Sequence, residues 1–231
     1  MSSRQSLEGT QPPIHKNVHA IDSEAIEAQF ATAMKQVGAD GLKTGMLFSK
    51  EIIELVASLI GSSNIPNAVV DPVMVGKLDS KLLKDDAIDA LMQTLIPKAT
   101  IITPNIPEAS VLLDDRPITS VDEMKKAAID LFELGAKNIL VKGGRLEGPA
   151  VDVLFDGTNL TTLEAPRIDT VNTSGAGCSY SAAIAAHLAK GKSVNDAVQE
   201  AKQFITTAIE HGFTYTDAVG PTYHAAQRKY G

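Results

Sequence analysis

Short apolar runs alternate with amphipathic helical segments along most of this chain, and this alternation restricts its fold more than any other feature. Apolar runs typical of buried strands occur at residues 68–70, 100–102 and 138–141. Residues 50–60 and 121–134 lie outside these runs and carry apolar side chains at helical spacing. Parallel strands need long crossover connections, which are usually helices. The alternation therefore predicts an α/β fold with a mainly parallel sheet between two layers of helices.

The other segments extend this pattern. Asp156-Gly157 separates two short alternating runs, which predicts a hairpin added to the sheet. Glycines follow several helical segments and predict where those helices end. The remaining predicted elements are a helix at 22–37, a strand and loop at 39–47, a helix at 84–95, hairpin strands at 151–155 and 160–164, and helices at 181–190 and 193–211.

The length of 231 residues suits a single domain. Residues 1–20 are polar and contain Pro12 and Pro13, so they have little apolar surface to bury. We expect an irregular leader at 1–20 and one folded domain at 21–231.

Composition and charge exclude several classes of function. The net charge is −7 and the basic residues are scattered, whereas nucleic-acid binding depends on clustered Lys and Arg. No apolar run approaches the roughly 18 residues that a membrane span requires. A single cysteine, Cys178, allows no intrachain disulfide and is typical of a reducing compartment. The N-terminus has no apolar core of a secretory signal, and we expect a cytoplasmic protein.

Polar or glycine-rich segments follow each predicted strand. Ligands bind beyond the carboxyl ends of the strands in open parallel sheets, so we expect these segments to form a binding site. They are Lys43-Thr44-Gly45-Met46, Asp71-Pro72-Val73-Met74, Thr103-Pro104-Asn105 with Glu108, and Lys142-Gly143-Gly144.

The strongest single motif is Gly175-Ala176-Gly177-Cys178, immediately before a helix rich in small residues. Glycines allow a ligand to approach the backbone, and N–H groups at a helix start attract anions. The motif therefore predicts an anion hole, although a turn that merely positions the helix has the same composition. A dinucleotide fingerprint is disfavoured because Tyr180 occupies the place of its third glycine. The phosphate-binding G-x-x-x-x-G-K-[ST] motif does not occur in the chain.

Several side chains near these motifs have two possible roles each. Cys178 at a helix start could act as a thiolate base or nucleophile, or simply pack as a small apolar residue. Asp71 and Glu108 could hold Mg²⁺, or cap a turn and a helix. Lys142 could reach a phosphate or remain solvated. The five histidines show no spacing typical of a zinc site.

Together these motifs resemble those of the hydroxymethylpyrimidine/phosphomethylpyrimidine kinases, which belong to the ribokinase-like superfamily. The resemblance is strongest to members that also phosphorylate pyridoxine and pyridoxal, and it extends from about residue 21 to the C-terminus. It implies a three-layer αβα fold, ATP and Mg²⁺ as cofactors, a small-molecule substrate with a hydroxymethyl group, and a homodimer. The motifs that carry it are Lys43-Thr44-Gly45-Met46-Leu47, Asp71-Pro72-Val73-Met74-Val75, Thr103-Pro104-Asn105 with Pro107-Glu108-Ala109, Lys142-Gly143-Gly144, Gly175-Ala176-Gly177-Cys178 and Val219-Gly220-Pro221-Thr222.

The resemblance also implies roles for individual residues. The anion hole would consist of Gly175, Ala176 and Gly177, with Cys178 where sugar-kinase relatives carry an aspartate base. Asp71, Asn105 and Glu108 would organise Mg²⁺ and phosphates, and Thr44, Met46 and Val73 would border the substrate ring. The residues implied for the ATP site are Thr103, Asn105, Lys142, Gly143, Gly144, Asp152 and Lys202.

One departure from the family pattern concerns the N-terminus. The family normally begins with a strand, a glycine-rich segment and a second strand, and these motifs do not occur in this sequence. We therefore expect a kinase domain that is incomplete at its N-terminus. An inactive nucleotide-binding protein is the alternative hypothesis, and a sugar kinase is a third that the cysteine in place of aspartate disfavours.

Overall fold

Six strands form one sheet whose spatial order follows the chain, β1-β2-β3-β4-β5-β6. The computed structural model describes residues 20–74, 82–214 and 219–231. The predicted leader falls almost entirely outside these ranges, as does Val75 of the resemblance motif. The first four strands are parallel, and β5 and β6 are antiparallel additions. The strands are β1 (Leu42–Thr44), β2 (Ala68–Val70), β3 (Ile101–Ile102), β4 (Ile139–Lys142), β5 (Ala150–Phe155) and β6 (Leu160–Ala165).

Helices separate the parallel strands in sequence, as the alternation predicts. Most of them begin at a side chain that caps the first turn; for example, Ser193 accepts a hydrogen bond from the amide of Asp196. The helices are α1 (Ser23–Gln36), α2 (Lys50–Ser62), α3 (Asp85–Ala90), α4 (Ile106–Leu112), α5 (Val121–Phe132), α6 (Ala176–Ala189), α7 (Val194–Glu210) and α8 (Ala226–Tyr230).

The sheet is buried on both faces, which confirms the predicted three-layer α/β architecture. Successive strand residues point to opposite faces. Val69 packs in the cluster that contains Ile184 and Val198 of α6 and α7, whereas Val70 packs in the cluster that contains Ile53 of α2 and Leu131 of α5. A parallel sheet covered in this way needs nearly continuous apolar strands, and that is what the sequence shows.

Four helical regions differ from the sequence-based prediction. The helix predicted at 181–190 begins five residues earlier, at Ala176, because Gly175 adopts a left-handed conformation (φ 78°) that starts the helix directly. The helix predicted at 84–95 is α-helical only in α3; a π-helical segment (Leu91–Leu95) and a 3-10 turn (Ile96–Lys98) follow it. Helices α4 and α8 were not delimited from the sequence.

The sheet has an edge strand at each end. In the described part of the chain, β1 pairs only with β2, so it is one edge, and β6 is the other. Helix α1 lies near α2, where the Ser23 hydroxyl donates to Glu51 (2.7 Å), and no α1 residue is fully buried. None of the helices described here has the length and apolarity needed to cross a membrane.

Candidate active site

The carboxyl ends of the four parallel strands meet at one edge of the sheet. The amide of Asp71, just after β2, donates to the Thr44 carbonyl of β1 at 3.2 Å, and the Thr103 amide donates to the Val70 carbonyl at 3.0 Å. The amide of Lys142, the last residue of β4, donates to the Pro104 carbonyl at 2.8 Å. The structure therefore brings together one polar segment from each strand, as the strand-end argument requires.

Asp71 is the centre of this edge. Its side chain is 2% exposed, and it accepts hydrogen bonds from Lys142 Nζ (2.8 Å), Thr103 Oγ1 (3.1 Å) and Ser181 Oγ (3.1 Å). Lys43 Nζ lies 3.6 Å from the same carboxylate. A buried carboxylate needs paired charge and hydrogen bonds, and Asp71 has both. Neither Lys43 nor Ser181 was assigned a role from the sequence.

The start of α6 faces the same edge. A Cβ built on Gly175 would meet no atom within 4 Å, and one built on Gly177 would lie 3.3 Å from Lys142 Nζ. Within the described residues, the amides of Gly177 and Cys178 have no hydrogen-bond acceptor. Unpaired N–H groups at a helix start, next to a lysine, form a site for an anion. The Cys178 side chain is exposed.

Lys142 is held as a cation at the centre of these groups. Its burial lowers the pKa of the amine, but the negative charges of Asp71 and Glu108 and the hydrogen bond to Asp71 outweigh burial and raise it. Lys142 therefore carries its positive charge throughout the physiological pH range.

A cleft of about 340 Å³ opens beside Lys142, between the loop after β4 and helices α6 and α7. Its volume is in the range of small-molecule sites. At its side, Asp152 accepts hydrogen bonds from the Gly143 amide (3.0 Å) and from Lys202 Nζ (2.6 Å), and Lys202 also donates to the Ala150 carbonyl (2.9 Å). Asp152 and Lys202 thus form an ion pair in the cleft wall and fix the backbone at Gly143.

Tyr180 also lines this cleft. From the sequence it was noted only because it stands where a dinucleotide-binding motif has its third glycine. Burial raises the pKa of the Tyr180 phenol well above its usual value, and the nearby Asp152 carboxylate raises it further. The phenol therefore stays neutral.

Glu108 caps helix α4, which was one of the two roles considered for it from the sequence. Its carboxylate accepts from the Asn105 amide (2.9 Å), and the Asn105 side chain accepts from the Glu108 amide (2.9 Å), so the pair forms a capping box. Burial raises the pKa of Glu108 to about 7, against the opposing effects of the Lys142 charge and the Asn105 amide. The side chain also lies close enough to Lys142 for their charges to interact.

This raised pKa predicts a pH-dependent stability. An acid with a folded pKa above its unfolded value is protonated preferentially in the folded state, so stability falls as pH rises from about 4.5 to about 7. Glutamine keeps the capping bond and cannot ionise. We expect Glu108→Gln to equal the wild type near pH 4 and to be more stable at pH 8 by about 3 kcal/mol.

Urea unfolding at both pH values, without nucleotide or metal, measures this difference. Glu123→Gln is the matched control, because Glu123 also accepts from backbone and side chain at a helix start but is exposed, and its pKa is lowered. A Glu108→Gln variant that is less stable than the wild type at pH 8 would contradict the assignment.

The three residues expected to border a substrate ring lie in different environments. Thr44 is buried and its hydroxyl has no hydrogen-bond partner among the described residues. Met46 is 42% exposed, and Val73 is half-buried, with its amide bonded to the Asp71 carbonyl at 2.8 Å. A buried hydroxyl without a partner is a group that a bound ligand or water can satisfy.

Comparisons with known proteins relate this chain to vitamin kinases. The pyridoxine kinase of Bacillus subtilis is 46% identical over 213 residues, which cover 91% of this chain and 79% of that protein. The hydroxymethylpyrimidine/phosphomethylpyrimidine kinase of Streptomyces coelicolor is 41% identical, over 87% of this chain and 74% of that protein.

A solved structure agrees with this relationship. The pyridoxal kinase of Staphylococcus aureus in complex with AMP-PCP and pyridoxal superposes with a TM-score of 0.84 at 37% identity. The superposition covers 91% of this chain and 76% of that one. It confirms the ribokinase-like fold expected from the resemblance, and the relatives are kinases.

The family model described as phosphomethylpyrimidine kinase matches residues 10–223, and the chain belongs to that family.

Proposed function

We propose that this chain transfers the γ-phosphoryl group of ATP to the hydroxymethyl group of a vitamin-precursor ring. The substrate would be hydroxymethylpyrimidine or its phosphate, in thiamine biosynthesis, or pyridoxine or pyridoxal, in vitamin B6 salvage. One observation carries the proposal: the unpaired amides of Gly177 and Cys178 lie at the start of α6, beside Lys142, where the parallel strands end. This is a preformed site for the charge that develops on a transferred phosphoryl group.

Each part of the site has a task in this reaction. The substrate hydroxyl oxygen attacks the γ-phosphorus, the bond to the ADP oxygen breaks, and the hydroxyl proton passes to the Cys178 thiolate. Lys142 and the α6 amides stabilise the oxygens of the transferred group. The cleft beside Lys142, Asp152 and Lys202 would hold the rest of the nucleotide, with Asn105 and Gly144 in its lining at the phosphate end. Thr103 and Gly143, which the resemblance also assigns to the ATP site, are buried and would act through Asp71 and Asp152, to which they donate hydrogen bonds.

The two buried carboxylates suit a magnesium ion by their chemistry. Mg²⁺ prefers oxygen ligands and keeps several waters. Both oxygens of Asp71 already accept hydrogen bonds, and Glu108 caps α4, so these carboxylates would hold the ion through water rather than directly. Bound there with ATP, Mg²⁺ would neutralise phosphate charge.

The ring would lie on the β1 side of the edge, against Thr44, Met46 and Val73. The unpaired Thr44 hydroxyl supports this position, because a polar ring atom would satisfy it. The family relationship and the presence of a single cysteine support a homodimer in the cytoplasm.

Substitution of Cys178 tests the proton-transfer step. We expect Cys178→Ala to lower kcat by about 10²- to 10⁴-fold, the usual contribution of a general base, with little change in the KM for ATP. Cys178→Asp should retain more activity, because a carboxylate can also accept the proton. Ser179→Ala is the control: its hydroxyl bonds His224 (2.7 Å) rather than the strand-end cluster. Unchanged turnover in Cys178→Ala would remove the base role.

Steady-state kinetics with hydroxymethylpyrimidine, its phosphate, pyridoxine and pyridoxal, in a coupled assay for ADP, tests the function as a whole. Phosphorylation of at least one ring is the expected result. ATP binding by calorimetry without turnover of any ring would instead support the hypothesis of an inactive nucleotide-binding protein.

A further inference from the structure

Arg167 binds the loop that connects β4 to β5 through several of its backbone carbonyls. Its Nε donates to the carbonyl of Gly148 (2.6 Å), and Nη1 donates to that of Gly144 (3.0 Å). Its Nη2 donates to the carbonyls of Leu146 and Pro149. Four of the five guanidinium N–H donors are therefore used on one short loop.

The hairpin explains how this contact arises. Strand β5 leaves the strand-end edge and β6 returns to it, with Ala150 opposite Ala165. Arg167 lies two residues beyond β6 and so reaches the loop that precedes β5. Neither the loop sequence nor the arginine alone indicates this pairing, because it depends on the hairpin register.

The loop held by Arg167 is part of the nucleotide cleft. Gly144, Arg145 and Arg167 all line the cleft, beside Lys142 and Gly177. The loop is fixed at its first residue by the bond from the Gly143 amide to Asp152. Beyond Gly143, the Leu146 amide bonds the Gly143 carbonyl (3.0 Å) and the Leu146 side chain packs against the core, whereas residues 144, 145 and 147–149 are exposed. The backbone of these exposed residues is therefore held mainly by Arg167.

We propose that Arg167 is a positioning residue for the nucleotide, which fixes the β4–β5 loop in the conformation that contacts ATP. The proposal rests on the proposed function, because it assigns ATP to this cleft. The planar guanidinium matches several carbonyls at once, whereas a lysine ammonium is a single flexible point charge. Arg167 also adds positive charge to the cleft in which the phosphates of ATP would bind.

Kinetics of Arg167→Gln and Arg167→Lys test the proposal. We expect both variants to raise the KM for ATP about tenfold, the consequence of a loop that must be ordered on binding. The KM for the ring substrate should stay within about twofold of the wild type, because the ring would lie at the β1 side. Arg116→Gln is the matched control, an arginine whose partner Asp130 lies outside the cleft lining.

Limited proteolysis gives a readout that does not depend on activity. The loop contains Arg145, an exposed residue followed by leucine, so trypsin can cut it when the loop opens. Without nucleotide, Arg167→Gln should be cut at Arg145 about tenfold faster than the wild type or Arg116→Gln. Circular dichroism melting shows whether each variant is folded.

The outcomes separate this proposal from the proposed function. If the wild type binds no ATP, the proposed function fails, while faster cleavage in Arg167→Gln would still show that Arg167 holds the loop. An unchanged KM for ATP in Arg167→Gln, with wild-type ATP binding intact, overturns the positioning role. Full rescue by Arg167→Lys would overturn the role of the guanidinium geometry.

Discussion

Lys142→Met is expected to lower kcat/KM by about 10²- to 10³-fold, the effect of removing one preorganised donor from a site of charge development. The amine lies 2.8 Å from Asp71 and beside Gly177 at the start of α6, where the transferred phosphoryl group would lie. Steady-state kinetics at saturating ring substrate measures the loss.

The same substitution should also destabilise the fold. Breaking a buried ion pair typically costs about 3–5 kcal/mol, and because Lys43 remains beside Asp71 we expect the lower end of that range. Lys125→Met is the matched control, since it removes an exposed pair with Asp122 and should cost at most about 1 kcal/mol. Wild-type kcat in a folded Lys142→Met protein would rule out a direct role for this lysine in phosphoryl transfer.

Gly143→Ala is expected to prevent folding or to cost more than about 4 kcal/mol, which is exceptional for one methyl group. A Cβ at this position would lie 2.1 Å from the Val151 carbonyl and 2.7 Å from Met124 Cε. The carbonyl belongs to β5 and cannot move without disturbing the sheet. The bond from the Gly143 amide to Asp152 holds the backbone against that strand.

The adjacent glycine provides the control. A Cβ on Gly144 would meet no atom within 4 Å, so Gly144→Ala should fold with near-wild-type stability. Soluble yield and urea unfolding of the two variants measure the contrast. Equal stability of both would contradict the close approach of the Gly143 backbone to β5.

The central strands could be predicted closely from sequence because β2, β3 and β4 are short, apolar and buried on both faces. Val69 and Val70 illustrate this: the two faces are covered by different helices, so both residues must be apolar. The start of α6 was less predictable, since glycines in the Gly175-Ala176-Gly177 motif indicate a turn by propensity. The left-handed Gly175 instead begins a helix at once, which tertiary contacts allow.

The polar segments at the strand ends could be located from the sequence, because ligands bind beyond the carboxyl ends of parallel strands. The side chains that hydrogen-bond to these segments could not be predicted. Ser181 bonds Asp71 across 110 residues of sequence, and no local pattern distinguishes it from other small residues of α6. Glu108 had two readings from sequence, and only the structure shows the capping box with Asn105. The roles of the site residues stay predictions until the substitutions above are made.

The nucleotide side and the ring side of the proposed site are built from the chain in different ways. On the proposed nucleotide half, the post-β4 loop, Asp152 and Arg167 come from one contiguous stretch of chain. On the proposed ring half, Thr44 ends β1 and Val73 follows β2, so they come from separate crossover units. Changes around β1 and β2 can therefore alter the ring side of the site while the hairpin keeps its contacts with the post-β4 loop.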